Sequence, residues 1–518
     1  MKQPNNLALA FAHELAQINQ AISDKPKSED DDKLHVQETG AIFSEIYENI
    51  RNASQNAQEN LLLMHAIARF ISRYFNGMKR QSKRSGEDLV IELTLAGYLP
   101  NDSVSLSTID QFTEMIKSAV AVKRSIGAKV NGHVDAWIVE PLAANIEAIL
   151  RDHRSEQALA NAAYNYFLSA IDIEKITDGN QHPDNYEATL YVAVHKVLLK
   201  SADAAIRYNL GVRYGITPTS VNGFINFNEQ LDQIFESELY KKLLRLIDRN
   251  GATWRIIGHC VEKDDHFELK LTSDKALLGA VNTATLNTYV DVNNNINRGI
   301  IRSIIFLIIT KFIIGIAMEV PYDMAVHNQV IWLALGVNLL LPPLYMAFLR
   351  ATLIMPDARN TKALAKNIER IFFTPIPKRP FLSLRQRHFS KIFNFIYYLV
   401  VIGVFAGVSW LLITYAAFEW IHLAIFFIFI STASFLGFRI SRNIREIEIG
   451  DEATTTMTIV RDIVYMPFVN VGRHLSETYA KINLVSRFLD MFVEMPMKLI
   501  IAFFRRWGSF MNAKKDDL

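Results

Sequence analysis

The chain has 518 residues, half of them hydrophobic and only 21% charged, with a mean hydropathy of +0.11. That is too apolar for a disordered chain and too long for one ordinary domain. The single cysteine, Cys260, excludes an intrachain disulfide framework and any cysteine-rich zinc module.

Charge is divided along the chain. Residues 1–300 hold 31 Lys and Arg against 38 Asp and Glu, a net of −7; residues 301–518 hold 24 against 15, a net of +9. The break coincides with a change in hydropathy pattern and reads as a domain boundary. The organisation expected is a leading helix and acidic linker over 1–34, a mostly helical cytosolic domain over 35–295, a membrane region over 296–440 and a cytosolic tail over 441–518. The N-terminus lacks a cleavable signal, because the apolar run LALAFA is short and is interrupted by His13 and Glu14.

In chain order, DKPKSEDDDK at 24–33 reads as a solvated tether. Ser107-Thr108-Ile109-Asp110 resembles a capping box opening a helix over 107–124. Helical spacing recurs at 133–152, 156–171 and 187–212. It is clearest in Phe224, Phe227, Leu231, Phe235, Leu239, Leu243 and Leu246, and Asn250-Gly251 supplies the stop. TWRIIGHCV, EKDD and HFELKLT read as strand, turn and strand, the one β element expected. This hairpin would gather His259, Cys260 and His266, which are weak metal candidates because their spacing fits no zinc pattern. No cofactor is expected. Asn293-Asn294-Asn295 and Gly299 read as a linker.

Four segments then approach the roughly 20 apolar residues that cross a bilayer as a helix. They are Ile304–Val320, Val330–Leu349, Ile392–Phe418 and Trp420–Phe438. Between the first two lie Glu319, Asp323 and His327 without a Lys or Arg, and between the last two only Glu419. Between the middle pair lies a basic loop, 350–391, carrying Arg359, Lys362, Lys366, Arg370, Lys378, Arg379, Arg385, Arg387 and Lys391. Basic flanks mark the cytoplasmic side, so both termini are expected inside a cytoplasmic membrane. The fold class is thus mainly α: a polytopic protein with four transmembrane helices, a large helical domain with a small β-hairpin, and an amphipathic C-terminal helix.

That last helix is read from 482–506. Arg487, Asp490, Glu494, Lys498 and Arg505 project onto one narrow stripe and the remaining perimeter is apolar. It is expected to lie in the membrane interface, or to pack on protein, with Arg505, Arg506 and Trp507 at the headgroups.

Ionisable residues within lipid are costly and mark functional sites. Lys311 in the first segment, Glu319 two turns on, and Asn338 beside Pro342-Pro343 in the second are expected to form a polar cluster. The prolines should break the second helix there and free its carbonyls.

The chain carries no P-loop, dinucleotide, zinc-protease or nucleophile-elbow motif. The leading expectation is therefore a non-enzymatic scaffold or anchor that organises partners or lipid at the cytoplasmic face. Its partners would be the bilayer, including anionic lipid at the basic loop, and proteins bound by the cytosolic domain. Nucleic acid is not expected, because the basic charges already serve topology. A second reading is a transporter or channel subunit built on Lys311, Glu319 and Asn338, which as four spans would call for a homo-oligomer. A third is a membrane-bound enzyme with residues near His182 and Asp184 or at 259–266.

Overall fold

A computed structural model describes residues 2–23, 32–36, 48, 61–75, 84–126, 132–177, 185–216, 221–375, 380–383, 391–449, 456–482 and 507. It is mainly helical. The helices are α1 (Asn6–Ser23), α2 (Leu62–Phe75), α3 (Ser85–Leu95), α4 (Leu106–Ile126), α5 (Glu140–Leu150), α6 (Arg154–Ala170), α7 (Tyr186–Leu198), α8 (Asp203–Arg213), α9 (Val221–Glu236) and α10 (Glu238–Asn250). They continue with α11 (Ala252–Lys263), α12 (Asp274–Ile314), α13 (Val320–His327), α14 (Trp332–Thr352), α15 (Ala358–Phe373), α16 (Lys391–Ala416), α17 (Trp420–Arg445) and α18 (Thr456–Ile482). Among the described residues, β structure is limited to two isolated bridges, Lys33 with Ser105 and Ile171 with Leu382.

The chain forms two compact units. One comprises His13–Leu168 and Ile176–Ile247. Its core joins Leu63, Ile67 and Phe70 of α2 to Phe112 and Ile116 of α4 and to Ala143 and Ile146 of α5. Their spacing of three or four residues puts each set on one helical face, and each large side chain so buried contributes about 1.5–3 kcal/mol. Gly86 permits α3 to touch α4, since a Cβ there would lie 2.2 Å from the Ile109 carbonyl oxygen. The start of α4 is fixed by Ser105, whose Oγ accepts from the Thr108 amide at 3.3 Å, two residues before the start expected from the sequence. The single helix expected over 224–246 is divided at Ser237, whose Oγ accepts from the Tyr240 amide at 3.1 Å and begins α10. Asn250 does end α10.

The other unit comprises Met1–Ala12, Ser169–Lys175 and Asp248–Ile482. It contains four helices long and apolar enough to cross a membrane: α12 through α13, α14, α16 from Phe395, and α17. α12 has 41 residues, about 60 Å at 1.5 Å per residue, twice the hydrocarbon thickness. It packs against α11, and Leu277, Val281 and Thr285 of its first half are buried.

Three expectations are corrected here. Residues 252–263 form α11, not a strand, and the second half of the expected hairpin begins with a short helix, Phe267–Lys270. Trp254, Ile257 and Cys260 recur at helical spacing and are all buried, so burial decides against the β-branched, aromatic composition. The asparagine-rich linker is also helical. Its Asn293 and Asn297 face α14, where their Oδ1 atoms accept from Arg350 at 2.7 and 2.6 Å instead of capping a helix end. Finally, α14 runs unbroken through Pro342 and Pro343, which are buried inside it. Packing against α12 and α17 holds a helix that lacks two of its amide donors.

α15 joins the spanning helices to the chain that follows them. Asp357 caps it, accepting from the amides of Arg359 and Asn360. Leu364, Ile368, Ile371 and Phe372 are buried on one face, with Trp254 of α11 edge-on to Phe372. Asn360 donates to the Tyr289 hydroxyl at 2.7 Å and the Ile447 carbonyl at 2.9 Å, and accepts from the Ile449 amide at 2.8 Å. α18 packs closely on α17 at Gly472, where a Cβ would lie 2.1 Å from the Ser431 carbonyl oxygen.

Candidate functional site: a buried ionisable network

α12 continues beyond Ile314 through a wider π turn, Gly315–Glu319, into α13. Lys311 and Glu319 are eight residues apart, which in an unbroken α-helix leaves them about 80° out of line. The π turn, with its i→i+5 bonding, absorbs that offset. Gly315 lets it sit close to α14: a Cβ there would be 3.2 Å from Leu335 Cδ1.

Lys311 Nζ consequently donates to Glu319 Oε1 at 3.2 Å. The same ammonium lies 4.5 Å from the centre of the Phe429 ring of α17, a cation–π contact that replaces part of its lost hydration. Asn338 Nδ2, from α14, donates to Glu319 Oε1 at 3.1 Å and to the His422 carbonyl at 3.3 Å. The three residues expected to cluster are therefore together, and they tie three spanning helices to one another.

The structure adds a second group of residues, drawn from the two short connections and, with His422, from within the fourth apolar segment. Asp323 Oδ2 accepts from the Ile331 amide at 2.9 Å, and its Oδ1 lies 3.2 Å from His422 Nε2. His422 Nδ1 accepts from the Glu419 amide at 3.3 Å, completing a reciprocal capping box at the start of α17. Glu419 also accepts from the Tyr322 hydroxyl at 2.9 Å and lies 2.9 Å from His327 Nε2. Those contacts with Tyr322 and His327 hold the Glu419 carboxyl below its usual range. Lys311, Glu319, Asp323, Asn338 and His422 are at most 2% exposed. Glu319 Oε2 and Asn338 Oδ1 lack a hydrogen-bond partner among the described residues. The available sequence signal was the concentration of Asp, Glu and His, without Lys or Arg, around the two short connections.

The basic segment is more ordered than a loop. Arg359, Lys362, Lys366 and Arg370 are exposed on α15; at 100° per residue they fall within about 80° of arc, opposite the buried face. Arg359 Nε donates to Asp357 at 3.1 Å and the Arg370 guanidinium lies 5.4 Å from the Phe381 ring. Beside α15 a cleft of about 620 Å³ is bordered by Ile300, Leu349, Phe438, Arg359 and Arg445. Lys378, Arg379, Arg385 and Arg387 lie outside the described residues, as does the side chain of Lys391. So do Arg487, Lys498, Arg505 and Arg506 of the expected interfacial helix, and His182 and Asp184; Trp507 is described and exposed.

The weak metal candidates do not converge. His259 and Cys260 are neighbours on α11, where His259 lies 3.6 Å from Glu262. His266 lies 3.3 Å from Glu268. Cys260 is buried, which pushes its thiol up to about 12 and makes it a poor thiolate. Among the described residues no three His, Cys, Asp or Glu side chains are placed to hold a metal ion.

The chain matches no family model, no curated protein and no solved structure.

Proposed function

We propose that the protein is a non-enzymatic, multi-pass scaffold of the cytoplasmic membrane, with both termini inside, that holds lipid and protein partners at the inner surface. The observation that carries this reading is the one-sidedness of α15. Its four cations face outward six or more residues after a spanning helix ends, while its apolar face is spent on the unit's own core. Anionic headgroups attract such juxtamembrane cations by about 1 kcal/mol each. The buried network serves this scaffold as a clamp between spans, and the helical N-terminal unit offers the surface for protein partners.

The test uses Lys366→Cys in the full chain, where native Cys260 is buried. Reconstituted in anionic vesicles, the new thiol reacts more slowly with a water-soluble reagent than in zwitterionic vesicles, and added salt removes the difference. Equal rates in both lipids overturn the reading.

A second reading, an ion-pathway subunit that assembles as an oligomer, is favoured by one observation. Four ionisable side chains and Asn338 are enclosed among the spanning helices. Cation flux in proteoliposomes that disappears in a folded Lys311→Met variant supports it; the absence of flux in the wild type excludes it.

A further inference from the structure

The cleft beside α15 stands where α12, α14 and α17 change from apolar to basic. Each of these helices gives it one buried side chain: Ile300, Leu349 and Ile444. Each also carries an arginine close by, at Arg302, Arg350 and Arg445. Gly437, in the same wall, lets α17 close against α14, since a Cβ there would lie 2.7 Å from Leu349 Cδ1. At the edge Ile354 is 82% exposed. The volume of about 620 Å³ falls within the range of small-ligand sites, about 300–1,000 Å³.

Four charges line this cleft. Asp357 and Arg359 come from the start of α15, Arg445 from the last turn of α17, and Glu448 from the chain just beyond it. Their sum is zero. Arg359 Nε donates to Asp357 at 3.1 Å, and a guanidinium has four further N–H donors. The Arg445 guanidinium lies 5.8 Å from the centre of the Phe438 ring, over the apolar wall.

We infer that the cleft holds the headgroup of one phospholipid carrying both a phosphate and a primary ammonium, as phosphatidylethanolamine does. This site deepens the lipid half of the scaffold reading and rests on its placement of the spans in a bilayer, which puts the cleft at headgroup level. Arg359 and Arg445 donate to the phosphate oxygens. The ammonium donates to the carboxylates of Glu448 and Asp357. Two cations and two carboxylates give a singly anionic headgroup no net attraction, whereas a zwitterion meets an opposite charge for each of its own. A quaternary ammonium has no N–H to offer those carboxylates, so a choline headgroup forgoes their hydrogen bonds. For the acyl chains the same helices present Phe306 and Phe348, each more than half exposed. Lys362, Lys366 and Arg370, which draw anionic lipid to the outward face of α15, lie outside the cleft.

Native mass spectrometry of the full-length protein in detergent reads the occupant, with phosphatidylethanolamine, phosphatidylcholine and phosphatidylglycerol added in equal amounts. The wild type should retain one phosphatidylethanolamine, favoured about tenfold over the other two, as one charge-assisted hydrogen bond allows. Glu448→Gln removes an ammonium partner and leaves the cleft with a charge of +1, so the preference should pass to phosphatidylglycerol. Ala363→Trp, which fills the cleft from α15 without changing its charge, should lose the retained lipid. If Ala363→Trp does not fold, Glu448→Gln still decides. Equal retention of the three lipids by the wild type, a wild-type preference for phosphatidylglycerol, or a preference unchanged in Glu448→Gln overturns the inference. So does complete displacement of the lipid by water-soluble glycerophosphoethanolamine, which would make the ligand a free headgroup. The attraction of α15 to anionic lipid stands or falls separately, on the Lys366→Cys rates.

Discussion

The ammonium of Lys311 meets the carboxylate of Glu319 at 3.2 Å inside the bundle, although eight residues of one helical run separate them. Breaking one side of an enclosed ion pair typically costs 3–5 kcal/mol, whereas replacing both partners by apolar groups is often neutral. Lys311→Met should therefore lower thermal stability in detergent markedly. The double variant Lys311→Met/Glu319→Leu should recover most of the loss. A double variant as unstable as the sum of the singles would show that the two residues do not act as a pair.

Asn360 links three segments through its two donated bonds and one accepted bond. Replacement by alanine leaves the Ile449 amide and the Ile447 carbonyl without their partner, and each buried group so orphaned costs about 1–3 kcal/mol. Faster hydrogen exchange at the Ile449 amide should accompany the loss, with the spanning helices unaffected. Unchanged exchange there would remove Asn360 from the account of how α15 is held.

Acid acts on the N-terminal unit through His195. The side chain is fully buried, its ring tilted at 34° to that of Tyr191 with centroids 4.1 Å apart, and neither ring nitrogen is hydrogen-bonded among the described residues. Burial, aided by the nearby Arg213 guanidinium, lowers its pKa from 6.5 to about 4. The unfolded chain therefore binds this proton first, so the stability due to neutral His195 is present above pH 6.5 and falls as pH drops toward 4. The loss reaches about 3 kcal/mol at 1.4 kcal/mol per pH unit. Hydrogen exchange of α7 followed between pH 7 and 4 should show this destabilisation, and His195→Phe should remove it.

Alkali acts in the opposite sense through His153. Hydrogen bonds to Glu147 at 3.3 Å and Glu156 at 3.2 Å raise its pKa to about 10. A raised pKa means that the contribution is complete below pH 6.5 and is lost as pH rises toward 10. Protection at the α5–α6 junction should decline over that window in the wild type but stay flat in His153→Gln.

The spans were legible because a bilayer demands long uninterrupted apolar runs, and little else produces three of them without charge. Lys311, Glu319 and Asn338 stood out for the related reason that polar groups among such runs need partners. The π turn carried no comparable mark. It depends on the contact of Gly315 with Leu335, a neighbour in space that sequence spacing does not disclose. Asp323 was passed over because it lies in a short connection, and His422 because it stands alone at the start of an apolar segment, whereas α13 and α17 bring the two within 3.2 Å of one another. At Trp254, Ile256 and Ile257 the local preference was for strand, and burial against α12 and α15 prevailed.

If the four long apolar helices, α12 with α13, α14, α16 and α17, cross a bilayer, the connection at Asn328 and the cationic face of α15 lie on opposite sides of it. Single cysteines at Asn328 and Lys366 in intact cells, treated with a membrane-impermeant thiol reagent, test it directly. The account predicts that the cysteine at 328 is labelled from outside while that at 366 reacts only after the cells are opened. Labelling of both, or of 366 alone, before the cells are opened would contradict it.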